Sequence, residues 1–101
     1  MSKNFGNLLQ QARQMREKLA QLRKELDSRE FKINANGMSI LINGKQQILG
    51  ITLNDDYLDL DKSTLEDVIK VAVNKAVEES LNNVNSAISK LTGDVDISGL
   101  F

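Results

Sequence analysis

From Phe5 the apolar positions run Phe5, Leu8, Ala12, Met15, Leu19, Leu22, Leu26, alternately three and four residues apart. That heptad spacing predicts one amphipathic helix over about 5–28. Strong helix formers fill the positions between, and neither Gly nor Pro interrupts from Asn7 to Ser28. Two copies in parallel register would set Lys18 against Arg23 and Glu25 against Glu30, like charge against like. The seam is therefore expected to pack antiparallel, on another helix or on a sheet.

The spacing then changes to the two-residue period of strands, at about 30–35, 38–43 and 47–53. Asn36-Gly37 is the signature of a tight primed turn, and pairing outward from it sets Ile33 against Ile40 and Phe31 against Ile42. A second hairpin at Asn43-Gly44-Lys45-Gln46 is expected to return Leu49, Ile51 and Leu53 to that face, with Leu41 and Ile48 pointing away. After an acidic loop, Ser63-Thr64-Leu65-Glu66 fits a capping box opening a second helix over about 63–92. Its apolar face is Leu65, Val68, Ile69, Ala72, Val73, Ala76 and Val77, narrowing to Leu81, Val84, Ile88 and Leu91. Asn82, Asn83 and Asn85 mark a point of fraying or kinking, and Gly93 a stop before a loose tail over 93–101.

These elements make an α+β protomer of order α-β-β-β-α, a three-stranded antiparallel meander flanked by two long helices. No linker or repeat divides residues 1–101. Helices of ~35–40 Å overhang strands of ~20 Å, and both apolar stripes continue into the overhang. Their far ends must cover each other or meet a second chain, so a homodimer is the economical expectation, with Phe5, Leu8, Met15, Leu19, Leu22 and Leu26 as its core or dimer seam.

Composition narrows the chemistry. The chain of 101 residues has no Cys and no His, which excludes thiolate chemistry, disulfides, His-based triads and the usual zinc and iron–sulfur ligands. Apolar runs are too short for a membrane span, and Met1 to Gly6 has no secretory h-region, so a cytoplasmic protein without membrane association is expected. Asp55, Asp59 and Glu66 echo a calcium loop, but Tyr57 stands at a ligand position and Leu60 at the turn glycine. No metal site, cofactor, small-molecule substrate or catalytic residue is expected: paired carboxylates occur without a substrate-gripping motif, and the glycines form no phosphate loop.

Charge is uneven although the net is −1. Residues 1–30 hold seven basic and four acidic residues, a local +3, whereas 63–101 hold three and six, a local −3. At ~100° per residue, Arg13, Arg16, Arg23 and Lys24 share a stripe ~100° wide and ~16 Å long. Glu17 and Asp27 lie on or beside it. Such a stripe suits either a solvated, salt-bridged helix face or a row of backbone phosphates on a duplex. Without interleaved aromatic residues or a helix-turn-helix spacing, it carries no base-reading device.

Three stretches give a further indication: Gly6-Asn7-Leu8-Leu9 with Gln11-Ala12-Arg13-Gln14-Met15; Ile42-Asn43-Gly44 leading to Ile51-Thr52-Leu53; and Leu65-Glu66-Asp67-Val68 continuing to Ala72-Val73-Asn74-Lys75-Ala76. In this order the chain resembles the YbaB/EbfC family of bacterial nucleoid-associated proteins. The resemblance implies a homodimer with protruding, tweezer-like helices. It also implies binding to double-stranded DNA with relaxed sequence preference, in nucleoid organisation or gene regulation. It carries the DNA-binding role to Arg13, Arg16, Arg23, Lys24 and, by position, Lys75. The chain departs from the family pattern in its Asn34-Ala35-Asn36-Gly37 turn, in a tail without Pro, and in Glu78 and Glu79 close after Lys75. The alternative is a dimeric protein-interaction module whose affinity for DNA is incidental.

Overall fold

The computed structural model describes residues 2–93, with side chains from Phe5 onward. Helix α1 spans Ser2–Ser28, strands β1, β2 and β3 span Glu30–Ala35, Met38–Asn43 and Ile48–Thr52, and helix α2 spans Lys62–Thr92. The expected tail beyond Gly93 lies outside the described residues. The three strands form an antiparallel meander in the order β1-β2-β3.

The first hairpin has the expected register, Phe31 opposite Ile42 and Ile33 opposite Ile40. Asn36 and Gly37 at φ 53° and 82° provide the left-handed pair that a type I′ turn needs. The second hairpin differs from expectation. Leu41 faces Gly50 but Ile42 faces Ile48, so Leu49 is the extra residue of a bulge. That bulge exchanges two side chains: Ile48 packs against the core, and Leu49 is 49% exposed. Ile51 is opposite Ile40 yet remains exposed, as does Leu53.

Two apolar clusters hold the chain together. Ile33, Ala35, Met38, Ile40 and Ile42 of the sheet pack with Tyr57 and with Ala72 and Ala76 of α2. Beyond the sheet, Leu19 and Leu26 of α1 pack with Val84 and Ile88 of α2, flanked by Met15, Leu22, Ala87 and Leu91. The chain of α1 runs toward the sheet and that of α2 away from it, so the helices form an antiparallel arm and the molecule is 72 Å long.

The buried positions of α2 are Ala72, Ala76, Ser80, Val84, Ile88 and Thr92. A four-residue step advances ~40° around the helix each time, so this row turns from the sheet toward α1. Leu81, expected on the apolar face, is therefore exposed, and Ser80 is fully buried in its place. The capping-box expectation also fails. Asp61 is the N-cap, without a side-chain hydrogen bond. The Leu65 amide bonds to the Asp61 carbonyl, which places Ser63 inside the first turn, while Glu66 lies 4.0 Å from Lys62. The Asn-rich stretch is continuous helix, with Asn83 Nδ2 donating to the Glu79 carbonyl. Gly93 closes α2 at φ 62°. The acidic loop contains a 3-10 turn over Asp55–Asp59, anchored by buried Tyr57.

Candidate nucleic-acid interface

Helix α1 joins its two faces at a fixed angle. Taking Leu19 as zero, Met15, Leu22 and Leu26 fall within ~60° on one side, and the cation stripe is centred ~90° to the other. The arm is built from the first face, so the second lies laterally. Arg13, Arg16, Arg23 and Lys24 are all exposed. Among the described residues the ion pairs within 4.0 Å are Arg29 with Glu25, Lys62 with Glu66, and Lys70 with Asp67. Arg13, Arg16 and Lys24 are in none of them, whereas Arg23 also interacts within the chain. Shallow grooves along this side are lined by Arg13, Gln14 and Glu17, and by Glu17, Ala20, Gln21 and Lys24. Glu17 thus lies beside the stripe, as its wheel position implies.

Lys75 is placed elsewhere. Its Nζ donates to the Asn34 carbonyl at 3.3 Å, at the end of β1 remote from α1. The seam residues divide into two groups. Leu19 and Leu26 are buried and Met15 and Leu22 half-buried in the arm, but Phe5 and Leu8 are 65% and 63% exposed.

At the base of the arm the structure joins the second hairpin turn to α1 and α2, an association that the sequence did not indicate. The Asn43 carbonyl accepts the Ser80 hydroxyl at 2.7 Å. Its Oδ1 accepts the amides of Lys45 and Gln47, and its Nδ2 donates to Gln47 Oε1. Gln46, in the left-handed region at φ 62°, is held by Nε2 donating to the Gly44 carbonyl and to Ser80 Oγ. This turn closes against α1: the Gly44 amide bonds to the Arg29 carbonyl, and a Cβ at Gly44 would overlap the Leu26 carbonyl. Between them lies an open hollow of about 290 Å³ lined by Lys24, Asp27, Ser28, Asn43, Lys45 and Gln47. Topology contained the missing signal. In a meander, β2 returns to the end where α1 enters, so the Asn43-Gly44 turn had to sit beside the last turn of α1.

Among the described residues no group of three or more His, Cys, Asp or Glu side chains could hold a metal ion, and no helix is long and apolar enough to cross a membrane.

Comparison with known proteins finds relatives among nucleoid-associated proteins. A nucleoid-associated protein of Thermoanaerobacter pseudethanolicus is 34% identical over 101 residues, covering 97% of this chain and 91% of the relative. One from Clostridium kluyveri is 33% identical, covering 97% and 89%. A third, from Mycoplasmopsis pulmonis, is 36% identical over 77 residues, covering 75% and 77%. The model of the YbaB/EbfC DNA-binding family matches residues 1–95, and the chain belongs to that family.

Proposed function

We propose that this protein is a homodimer that binds double-stranded DNA mainly through backbone phosphates, with low sequence specificity, in nucleoid organisation or gene regulation in the bacterial cytoplasm. The exposed row Arg13, Arg16, Arg23 and Lys24 on a protruding arm carries the reading. Family membership supports DNA as the partner. Contacts from arginine and lysine to backbone phosphates position a protein without reading sequence. Lys75, whose exposed ammonium donates one of its three N–H groups to the Asn34 carbonyl, is a further contact by position, away from the α1 row. Self-association is supported by the uncovered Phe5 and Leu8 on the arm and by Leu49, Ile51 and Leu53 along β3, apolar surface that a second copy would remove from water. The protein acts by binding rather than by catalysis, so nuclease activity with magnesium stays at background in wild type and in Asp59→Asn alike.

Binding measured against salt tests this. Four contacts per protomer give a limiting log–log slope of roughly −7 for a dimer at ~0.9 per phosphate. Competition from Glu17 and Asp27 brings the expected slope to about −3 to −5. Arg23→Ala with Lys24→Ala should weaken binding equally on unrelated duplexes and flatten the slope, whereas Lys90→Ala should change little. Undiminished binding by a dimeric double variant would remove the α1 interface. Negligible wild-type binding at physiological salt would favour a protein-interaction module, which the apolar arm end at Phe5, Leu8 and Leu9 would suit.

A further inference from the structure

We propose that the hollow between the last turns of α1 and the β2–β3 turn is a phosphate subsite, in which Lys45 joins Lys24 to seat a backbone phosphate of duplex DNA at the base of the arm. The inference rests on the duplex-binding reading and adds to it a residue outside the helix.

Lys45 leaves a backbone with little freedom. Its amide is held by Asn43 Oδ1 at 2.9 Å, the next residue is tied to Gly44 and Ser80, and Gly44 is seated against the Leu26 carbonyl. Ordering costs on binding are therefore confined to the lysine side chain. Lys24 approaches from the other wall, and it is also the last cation of the α1 stripe. The positive charge thus extends from the α1 stripe to the neighbouring turn.

The donor set matches the ligand. A phosphodiester carries one negative charge and only acceptor oxygens. The hollow offers two ammonium groups and the Gln47 amide, whose Oε1 is already taken by Asn43 Nδ2, leaving its N–H groups to donate. Ser28 adds no donor, because its hydroxyl bonds to the Glu25 carbonyl. Among the described residues neither lysine is in an ion pair within 4.0 Å. Asp27 is the one carboxylate on the wall, so the lining is net positive by one charge. Lys24 lies short of the last turn of α1, so helix-terminus electrostatics do not account for it, and the second cation comes from a separate, braced turn.

The experiment is a salt titration of duplex binding by wild type, Lys45→Gln, Lys45→Arg and Asp27→Asn. Lys62→Gln, an equal loss of charge at the start of α2, serves as the control. Lys45→Gln should keep the wild-type melting curve, since only the Lys45 backbone braces the turn. It should weaken binding by about tenfold near 0.1 M salt and reduce the slope by about 0.9 per engaged protomer. Lys45→Arg should bind as wild type does, Asp27→Asn should bind more tightly, and Lys62→Gln should be unchanged. If Lys45→Gln matches Lys62→Gln in affinity and slope while Arg23→Ala with Lys24→Ala loses binding, the subsite is wrong and the α1 interface stands. If wild type binds no duplex, the functional reading fails and the subsite fails with it.

Discussion

At Gly44, Asn43 and Ser80 a handful of atoms decide how the arm meets the sheet. A methyl group at Gly44 would overlap the Leu26 carbonyl, and both sides of that contact are backbone. Gly44→Ala should therefore cost at least about 2 kcal/mol, by displacing either α1 or the turn. Thermal or denaturant unfolding measures the loss, and a stability within about 0.5 kcal/mol of wild type would show that the junction is looser than described. Ser80 is fully buried and donates to the Asn43 carbonyl. Ser80→Ala should cost about 0.5–1.5 kcal/mol, the net worth of one hydrogen bond, because the Asn43 carbonyl keeps the Gln46 amide as a donor. Asn36-Gly37 was legible as a turn because few other residues adopt the left-handed backbone it requires, whereas in the second turn that conformation falls on Gln46. The role of Ser80 was not legible, because a serine between apolar positions of a helix gives no sign of a partner in a distant turn.

Among the elements, α1 serves two purposes along its length. Residues Met15 to Leu26 complete the arm with α2, whereas Phe5 and Leu8 lie beyond that cluster. Leu26→Ala, at a position 1% exposed, should cost about 2–5 kcal/mol in unfolding free energy. Leu8→Ala should leave monomer stability within about 0.5 kcal/mol of wild type and weaken self-association instead. Equal losses at the two sites would mean that the seam acts as one unit. The heptad spacing revealed the helix and its apolar side, since periodicity is a local property of the chain. It did not reveal how far along α1 the partner helix reaches, although Gly93 marked where that helix stops. The start of α2 at Lys62 rather than Ser63 shows the same limit, because Asp61 and Ser63 are both good N-cap residues and the local pattern does not choose between them.

On the scale of the whole molecule, charge and uncovered apolar surface govern association. If a second copy covers the arm end and the β3 edge, sedimentation should give a dimer at micromolar concentration. The melting temperature should then rise with protein concentration, because association stabilises only the folded chain. A stable monomer with a concentration-independent melt would refute the dimer. Net charge is −1 while the first 30 residues carry a local +3, so duplex affinity should fall steeply with salt and remain modest at physiological ionic strength.

The α-β-β-β-α order, the first hairpin register, the cation stripe and the family likeness were all present in the sequence. Each depends on residues near one another in the chain or on an ordered pattern along it. Tertiary structure decided what depends on distant segments meeting. The bulge that put Ile48 inside and Leu49 outside relates β3 to β2, and the burial of Ser80 in place of Leu81 relates α2 to the β2–β3 turn. The separation of Lys75 from the α1 row and the meeting of Lys24 with Lys45 follow from how the helices sit on the sheet. Periodicity specifies which side of an element is apolar; only close packing between elements determines which atoms that side meets.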